Sequence, residues 1–344
     1  MNDEQLKRWM EKRKQRKEAL TKDNLMEGIL AGNLTALSSA ITLLESNLPQ
    51  DKVTAKELVS ACLPHAGNSI RVGITGVPGV GKSTFIESFG MHLLQENKKV
   101  AVLAIDPSSE KSGGSILGDK TRMQELSQQS NVFIRPSAAG DSLGGVARKT
   151  REAIFLCEAA GFEIILIETV GVGQSETVVH SMVDFFLLLM LAGAGDELQG
   201  IKRGIMEMAD ALVITKADGD NIKKANLARR EYQNAMHLFP PNKNEWIPKA
   251  LTASSLTNTN IDKVWQTILS FQNQTKINGW FKQKRQSQDK YWMNESLKEL
   301  LMADFFLNSA VKDRLKAEEA AVLKGEKSSF QSADDLFEFY KQNR

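Results

Sequence analysis

The segment GITGVPGVGKST, residues 73–84, contains residue types at the spacing that holds phosphate groups. Residues 76–83 match the pattern G-x-x-x-x-G-K-[ST], with a strand-like apolar run before them and a helical pattern after them. Glycines let the backbone curl so that successive N–H groups point at phosphate oxygens, Lys82 can bridge the outer phosphates, and the Ser83 hydroxyl can reach Mg²⁺. The sequence therefore predicts a phosphate-binding loop formed by Gly76, Val77, Pro78, Gly79, Val80, Gly81, Lys82, Ser83 and Thr84.

Acidic residues follow two neighbouring strand-like runs, where a magnesium site needs them. Asp106 ends VAVLAID and Glu168 ends IILIE, so both are expected at the carboxyl ends of strands beside the phosphate-binding loop. Asp119 lies in the Gly-rich segment GGSILGDKTRM, which could close over a nucleotide, although this residue could instead cap the next helix. We predict that Ser83, Asp106, Asp119 and Glu168 form the metal site.

The segment ITKAD indicates which base the nucleotide carries. Asp218 follows the run ALVI and can accept hydrogen bonds from both N1–H and N2–H of guanine, whereas adenine offers only an acceptor at N1. Lys216 and Asp218 are therefore predicted to bind guanine, which favours GTP over ATP. The loop after the next strand, LTASS, is expected to contact the base through the backbone of Thr252, Ala253 and Ser254.

The elements that must position these residues alternate between strand and helix. Residues 1–65 show helical spacing of apolar residues, and the last strand-like run precedes Trp265. This alternation predicts an α/β fold with a doubly wound, mostly parallel sheet, whose ligands bind at the carboxyl ends of the strands. We expect a helical extension over 1–65, a nucleotide-binding domain over 66–272, and a helical arm over 273–344. The predicted strands are IRVGIT, KVAVLAID, VFIRP, EIILIET, FFLLLML, ALVITKAD and WIPKALTAS.

Composition excludes several classes of protein. With 44 Lys and Arg against 42 Asp and Glu, the net charge is +2, so no nucleic-acid partner is expected. The two cysteines and four scattered histidines lack metal-ligand spacing. Two cysteines cannot build a disulfide framework, which fits a reducing cytoplasm. The run FFLLLMLAGA is about half as long as the roughly 20 residues that span a bilayer, so we predict a buried strand and no membrane partner. The N-terminus lacks a signal-peptide pattern, which also favours the cytoplasm.

Four other interpretations compete with a GTPase. Residues 140–144 match the nucleophile-elbow pattern G-x-S-x-G at Ser142, but they do not follow a strand directly, because Pro136 and the residues SAA intervene. A small-molecule kinase would need an Arg-lined acceptor pocket. A metal-delivery GTPase would need Cys/His clusters, which the sequence lacks. A binding module could hold the nucleotide as a structural ligand. The arginines that could line a kinase pocket are Arg122, Arg135, Arg148 and Arg151.

Six segments together resemble the methylmalonyl-CoA mutase-associated GTPases, the MeaB/ArgK/MMAA group. The resemblance runs from about Leu25 to the C-terminus and is most specific over residues 70–220. It implies a GTPase of the SIMIBI class that forms a homodimer through its C-terminal arm. It further implies a chaperone for an adenosylcobalamin-dependent acyl-CoA mutase, which gates cofactor loading and protects the mutase. The segments are GVPGVGKST, AIDPSS, GGSILGDKTRM, LGGVARKT, IETVGVGQSE and AGAGDELQGIKRGIMEMAD.

The resemblance also implies roles for individual residues. Lys82 and Ser83 would hold phosphate and Mg²⁺, and Gly171 and Gln174 would belong to a second switch. The segment AGAGDELQGIK would form a third switch that senses the partner, and hydrolysis is expected to be slow without that partner. The implied catalytic residues are Lys82, Asp106, Asp119, Glu168 and Gln174, and the implied partner-coupling residues are Asp196, Glu197, Gln199 and Lys202.

Two positions depart from related patterns. Thr215 stands where the family usually has Asn, which predicts a lost amide contact and weaker nucleotide binding. Val77 and Pro78 occupy the part of the loop where deviant-Walker ATPases carry an extra Lys. The second departure argues against an ATPase of that type.

Overall fold

A seven-stranded parallel sheet forms the centre of the chain in the computed structural model, which describes residues 21–105, 123–136, 143–169, 175–193 and 203–343. The strand order is β3-β2-β4-β1-β5-β6-β7, and every pairing is parallel. The predicted fold class and all seven predicted strands are confirmed. The strands are β1 (Ile70–Gly76), β2 (Val100–Ile105), β3 (Val132–Arg135), β4 (Ile164–Thr169), β5 (Phe185–Met190), β6 (Ala211–Ile214) and β7 (Lys249–Thr252).

The register of the central strands brings three strand ends to one edge of the sheet. Ile74 of β1 pairs with Glu168 of β4, and Gly76 pairs with Leu189 of β5. β5 is almost completely buried, because both faces of a parallel sheet are covered by helices and connections. This agrees with the prediction that FFLLLML is a buried strand, and no helix in the described part of the chain is long and apolar enough to cross a membrane.

Thirteen α-helices are present in the described residues. α4 packs on β1 and β2, α6 on β2, α7 on β1 and β4, and α9 on β6 and β7. The N-terminal helices α2 and α3 pack against α6. The helices are α1 (Lys22–Leu30), α2 (Leu34–Glu45), α3 (Pro49–Cys62), α4 (Lys82–Gln95), α5 (Gln124–Ser127), α6 (Leu143–Ala159), α7 (Ser175–His180), α8 (Arg203–Met208), α9 (Ile222–Met236), α10 (Ile261–Ile277), α11 (Trp280–Leu307), α12 (Ser309–Leu323) and α13 (Ser329–Gln342).

The chain divides into two compact units, and the boundary lies between Gln286 and Ser287. The boundary that we predicted from the sequence, between residues 272 and 273, lies inside α10. α10 and α11 are separated by Asn278 and Gly279, within the segment NQTKINGW. The first unit contains the sheet and the first residues of α11, and the second contains the rest of α11 with α12 and α13.

The second unit has a small apolar core of its own. Val311, Leu336 and Tyr340 are buried there, and Phe305 and Leu315 pack against them. The unit also exposes many large apolar side chains. The most exposed of these are Met293, Leu297, Leu300, Leu301, Met302, Leu307, Leu323, Phe330 and Phe337.

Candidate functional site

The predicted phosphate-binding loop connects β1 to α4. Gly81 has φ of 88° and stands directly before α4, so the loop delivers its N–H groups to the N-terminus of a 14-residue helix. Gly76 must lack a side chain, since a Cβ atom there would lie 2.5 Å from the carbonyl oxygen of Leu189. The loop can therefore curl tightly at the carboxyl edge of the sheet, where an anion can be bound.

Lys82 and Ser83 lie beside the acid that ends β4. The Nζ atom of Lys82 donates a hydrogen bond of 2.9 Å to the carbonyl oxygen of Gly76. The Ser83 hydroxyl donates one of 3.2 Å to Oε1 of Glu168, whose side chain is buried. Burial lowers the pKa of Lys82, and the carboxylates of Glu168 and Glu176 partly offset this effect.

The oxygen donors at this edge fit a magnesium ion. A hydroxyl and a carboxylate already face each other at Ser83 and Glu168, and Mg²⁺ prefers such hard oxygen ligands. Asp106 and Asp119, the other two predicted ligands, lie outside the described residues. Within the described ranges, no group of three or more His, Cys, Asp or Glu residues is arranged for a metal ion.

The predicted guanine-binding residues lie after β6 and β7. The Ser254 hydroxyl donates a hydrogen bond of 2.5 Å to Oδ2 of Asp218 and accepts one of 3.2 Å from the Thr257 N–H. The Ala217 N–H donates to the carbonyl oxygen of Ala253 at 3.1 Å, which joins the two loops. Thr252 is the last residue of β7. Hydrogen bonds thus join the two loops, and the carboxylate of Asp218 is half-buried between them; we call these joined loops the Asp218 corner.

Thr215 and Lys216 connect this corner to the phosphate-binding loop. The Thr215 hydroxyl donates to the carbonyl oxygen of Val80 at 2.8 Å, and Nζ of Lys216 donates to that of Gly79, also at 2.8 Å. Lys216 has φ of 56°, a conformation that non-glycine residues rarely adopt and that is enriched at functional sites. Thr215 therefore supplies a side-chain donor to the loop even though the usual Asn is missing.

Several predicted residues lie outside the described part of the chain, so the structure does not locate them. They include the residues singled out in the two implied switch segments after β4 and β5, and the Ser142 position of the elbow pattern. The residues are Asp106, Asp119, Ser142, Gly171, Gln174, Asp196, Glu197, Gln199 and Lys202.

Glu176 is a site residue that sequence reasoning did not single out. It lies in the first turn of α7 and is fully buried, and its charge acts on Lys82. An acid in the first turn of a helix is ordinarily interpreted as a favourable interaction with the helix dipole. The signal that could have identified it is its position two residues after Gln174, which ends the Gly-rich segment VGVGQ.

The arginines proposed for a kinase acceptor pocket have other contacts. Arg135 forms an ion pair with Glu45 and donates to the Thr42 hydroxyl. Arg148 forms an ion pair with Glu152 on the same helix. Arg151 is buried and stacks over Phe155, while Arg122 lies outside the described residues. These contacts do not support a kinase pocket built from these side chains.

A parallel sheet with this loop after its central strand, and an acid at the end of the neighbouring strand, defines a P-loop nucleotide-binding protein. Sequence comparison identifies the family. The profile of the methylmalonyl-CoA mutase-associated GTPase MeaB family matches residues 37–310. The chain belongs to this family and is a P-loop GTPase.

Individual relatives agree with this assignment. GTPase ArgK of Escherichia coli is 47% identical over 277 residues, which cover 80% of this chain and 84% of the relative. The mitochondrial methylmalonic aciduria type A homolog of mouse is 45% identical over 329 residues, covering 93% and 79%. A crystal structure of an LAO/AO transport system kinase superposes with a TM-score of 0.73 at 36% identity, covering 94% of this chain and 98% of that one.

Proposed function

We propose that this chain binds GTP with Mg²⁺, hydrolyses it slowly, and acts as a chaperone of an adenosylcobalamin-dependent acyl-CoA mutase. One observation carries the nucleotide part of the proposal. Ser83 and Glu168 share a hydrogen bond on one side of the phosphate-binding loop, and Thr215 and Lys216 connect the loop's other side to the Asp218 corner. The residues that we propose bind phosphate and the residues that we propose bind the base are thus linked by hydrogen bonds.

Binding would use groups that are already in place. The N–H groups at the start of α4 would donate hydrogen bonds to the phosphates, and Lys82 would exchange the Gly76 carbonyl oxygen for the outer phosphate oxygens. Ser83 and Glu168, with Asp106 and Asp119, would hold Mg²⁺, which supplies positive charge where the transferring phosphoryl group develops negative charge. Asp218, oriented by Ser254, would accept both guanine N–H groups.

The residues proposed for catalysis are Lys82, Asp106, Asp119, Glu168 and Gln174. They are contributed by the start of α4, the segments after β2 and β4, and β4 itself. The segments 106–122 and 170–174 contain several glycines, and Gly-rich sequence loses much conformational entropy when it adopts one conformation, so a bound partner could favour the catalytic arrangement. This supports slow hydrolysis alone and faster hydrolysis with the mutase.

The mutase as partner is supported by the name of the family, whose members are described as mutase-associated. We propose that GTP binding and hydrolysis gate loading of the mutase cofactor and protect the mutase. The segment AGAGDELQGIK, residues 192–202, would couple the partner to the nucleotide, through Asp196, Glu197, Gln199 and Lys202.

A homodimer formed through the arm 273–344 is supported by the surface of the second unit. Its helices expose large apolar side chains, including Leu301, Leu323 and Phe330. Apolar surfaces of this kind mark protein interfaces. Light scattering of the purified protein measures its mass directly, and a monomer at micromolar concentration would contradict this part of the proposal.

Two measurements test the proposal as a whole. Calorimetry with GTP and ATP, each with and without Mg²⁺, should show tight binding of GTP only and a requirement for the metal. Capture of the mutase by the immobilised protein should differ between a non-hydrolysable GTP analogue and the matching ATP analogue, which serves as the control. Equal affinity for GTP and ATP would refute the base assignment, and failure to bind any such mutase would refute the chaperone role.

A further inference from the structure

Two buried threonine hydroxyls join the central strands at the edge of the nucleotide site. The Thr169 hydroxyl donates a hydrogen bond of 2.8 Å to the Thr75 hydroxyl, and neither residue is exposed to solvent. The pair lies one residue beyond Ile74 and Glu168, the last residues that pair between β1 and β4. The hydroxyl bridge therefore continues the contact between these strands after their backbone pairing ends.

The strands do not need this bridge in order to pair. Their register is fixed by five backbone pairs, from Ile70 with Ile164 to Ile74 with Glu168, and β4 is apolar from Ile164 to Ile167. Two valines would fill the same space without the desolvation cost that each buried hydroxyl carries. We therefore explain the presence of this buried hydroxyl pair by a role in holding the ends of the two strands at the nucleotide site.

Each threonine is adjacent to a part of the site. Thr75 immediately precedes Gly76, where the phosphate-binding loop begins. Thr169 immediately follows Glu168 in β4. We infer that Thr75 and Thr169 are a positioning pair, which sets Glu168 against the phosphate-binding loop for GTP hydrolysis. The inference rests on the proposed function, because it concerns the geometry of that same reaction.

The bridge should affect turnover much more than nucleotide binding. The groups proposed to contact the nucleotide directly, which are the loop N–H groups, Lys82 and Asp218, follow β1 and β6, whereas β4 contributes Glu168, which would act through Mg²⁺. Displacing catalytic groups by about 1 Å can lower a rate roughly 100-fold without removing any contact to the bound substrate. Loss of the bridge should therefore lower the rate of hydrolysis while GTP remains bound almost as tightly.

The test compares five forms of the full-length protein: wild type, Thr169→Val, Thr169→Ser, Thr75→Val/Thr169→Val and Thr275→Val. Thr275 is a matched control, because it is also fully buried but its hydroxyl donates to the Phe271 carbonyl oxygen within α10. Each form is examined for GTP affinity by calorimetry, for single-turnover GTP hydrolysis with saturating enzyme, and for thermal unfolding.

We expect Thr169→Val to hydrolyse GTP at least about tenfold more slowly while its GTP affinity changes less than about threefold. Thr169→Ser keeps the hydroxyl and should restore most of the rate. The double variant should be more stable to heat than Thr169→Val, because neither hydroxyl is left without its partner. Its rate of GTP hydrolysis should stay as low as that of Thr169→Val. Thr275→Val should hydrolyse GTP at the wild-type rate.

Two results would overturn the inference while leaving the proposed function intact. One is wild-type turnover in Thr169→Val, and the other is a double variant that regains turnover together with stability, which would make the bridge purely structural. A wild-type protein that does not hydrolyse GTP would instead refute the proposed function, and the inference with it.

Discussion

Replacing Asp218 by Asn should change the base that the protein prefers from guanine to xanthine. The carboxylate can accept both N1–H and N2–H of guanine, whereas the amide group of Asn presents a donor. Xanthine carries a carbonyl oxygen where guanine carries its N2 amine, so it can accept from that donor. The direction of the change follows from this exchange of donor and acceptor.

The structure indicates which way the amide side chain of Asp218→Asn would point. The Ser254 hydroxyl accepts from the Thr257 N–H and gives its own proton to the side chain at position 218. The amide oxygen of the variant should therefore face Ser254, and its NH₂ group should face the base. Without the Ser254 hydroxyl the amide loses this orienting contact, so Asp218→Asn/Ser254→Ala should show a weaker preference for xanthine.

The size of the effect can be estimated from the two hydrogen bonds that change: the one from N2–H is lost, and the one from N1–H goes to a neutral oxygen instead of a charged one. Hydrogen bonds to charged groups contribute about 1.5–3 kcal/mol and those between neutral groups about 0.5–1.5 kcal/mol, so the two changes together cost about 3 kcal/mol. At about 1.4 kcal/mol per factor of ten, GTP affinity should fall on the order of 100-fold. XTP affinity should rise above that of the wild type, because XTP no longer meets an acceptor at this position.

Competition calorimetry with GTP, XTP and ATP measures these affinities in wild type, Asp218→Asn and the double variant. Asp220→Asn is a suitable control, since Asp220 is exposed and lies only two residues away. It should bind all three nucleotides as the wild type does. An Asp218→Asn protein that still prefers GTP to XTP would refute the assignment of this carboxylate to the base.

Three other predictions can be tested on the purified protein. Lys82→Ala should abolish tight nucleotide binding without unfolding the chain, because the side chain makes a charge contact rather than a packing contact; unchanged GTP affinity by calorimetry would contradict the loop assignment. The cognate mutase should accelerate GTP turnover of the wild type but not of Lys202→Ala, and equal acceleration of both would make Lys202 a plain surface charge. Burial raises the pKa of Asp210 to about 6 from 3.8, so the folded protein binds this proton more tightly than the unfolded chain does. The stability contributed by the protonated carboxyl is therefore present below about pH 4 and is lost as pH rises through 6. Asp210→Asn should therefore gain roughly 2–3 kcal/mol relative to wild type between pH 4 and 7, as measured by chemical denaturation.

The sheet was predictable because each of its strands has a local signal. Buried parallel strands appear as short apolar runs, and all seven runs became strands of one parallel sheet. The position of the loop between β1 and α4 was predictable for a related reason, since its glycines, Lys82 and Ser83 are contiguous in sequence. Both features are encoded within windows of about ten residues.

The contacts between distant loops could not be predicted in the same way. The segment LTASS was expected to contribute backbone contacts, yet Ser254 also bonds the Asp218 side chain, 36 residues away in sequence. For Thr215, the substitution suggested a lost contact, but the hydroxyl reaches the Val80 carbonyl oxygen, 135 residues away. Which partner a short polar side chain finds depends on how the loops approach each other, and no local pattern encodes that distance.

At the amino edge of the sheet, the partners of the charged residues could not be predicted from local sequence either. Arg71 and Glu158 form a fully buried ion pair, and Arg285, at the start of α11, bonds the Asp184 carboxylate and the carbonyl oxygens of Gly67 and Ser69. Burial alone would raise the pKa of Glu158, but hydrogen bonds from Arg71 and Ser69 lower it below its usual value.

These charges are costly to bury, and removing one member would leave another uncompensated, typically at a cost of about 3–5 kcal/mol. Their benefit is a fixed position for the first residues of α11 on the amino edge of the sheet. The charges at the amino edge pair with one another and stabilise the structure, whereas Lys82, Glu168 and Asp218 lie at the carboxyl edge, around the loop that we propose binds nucleotide.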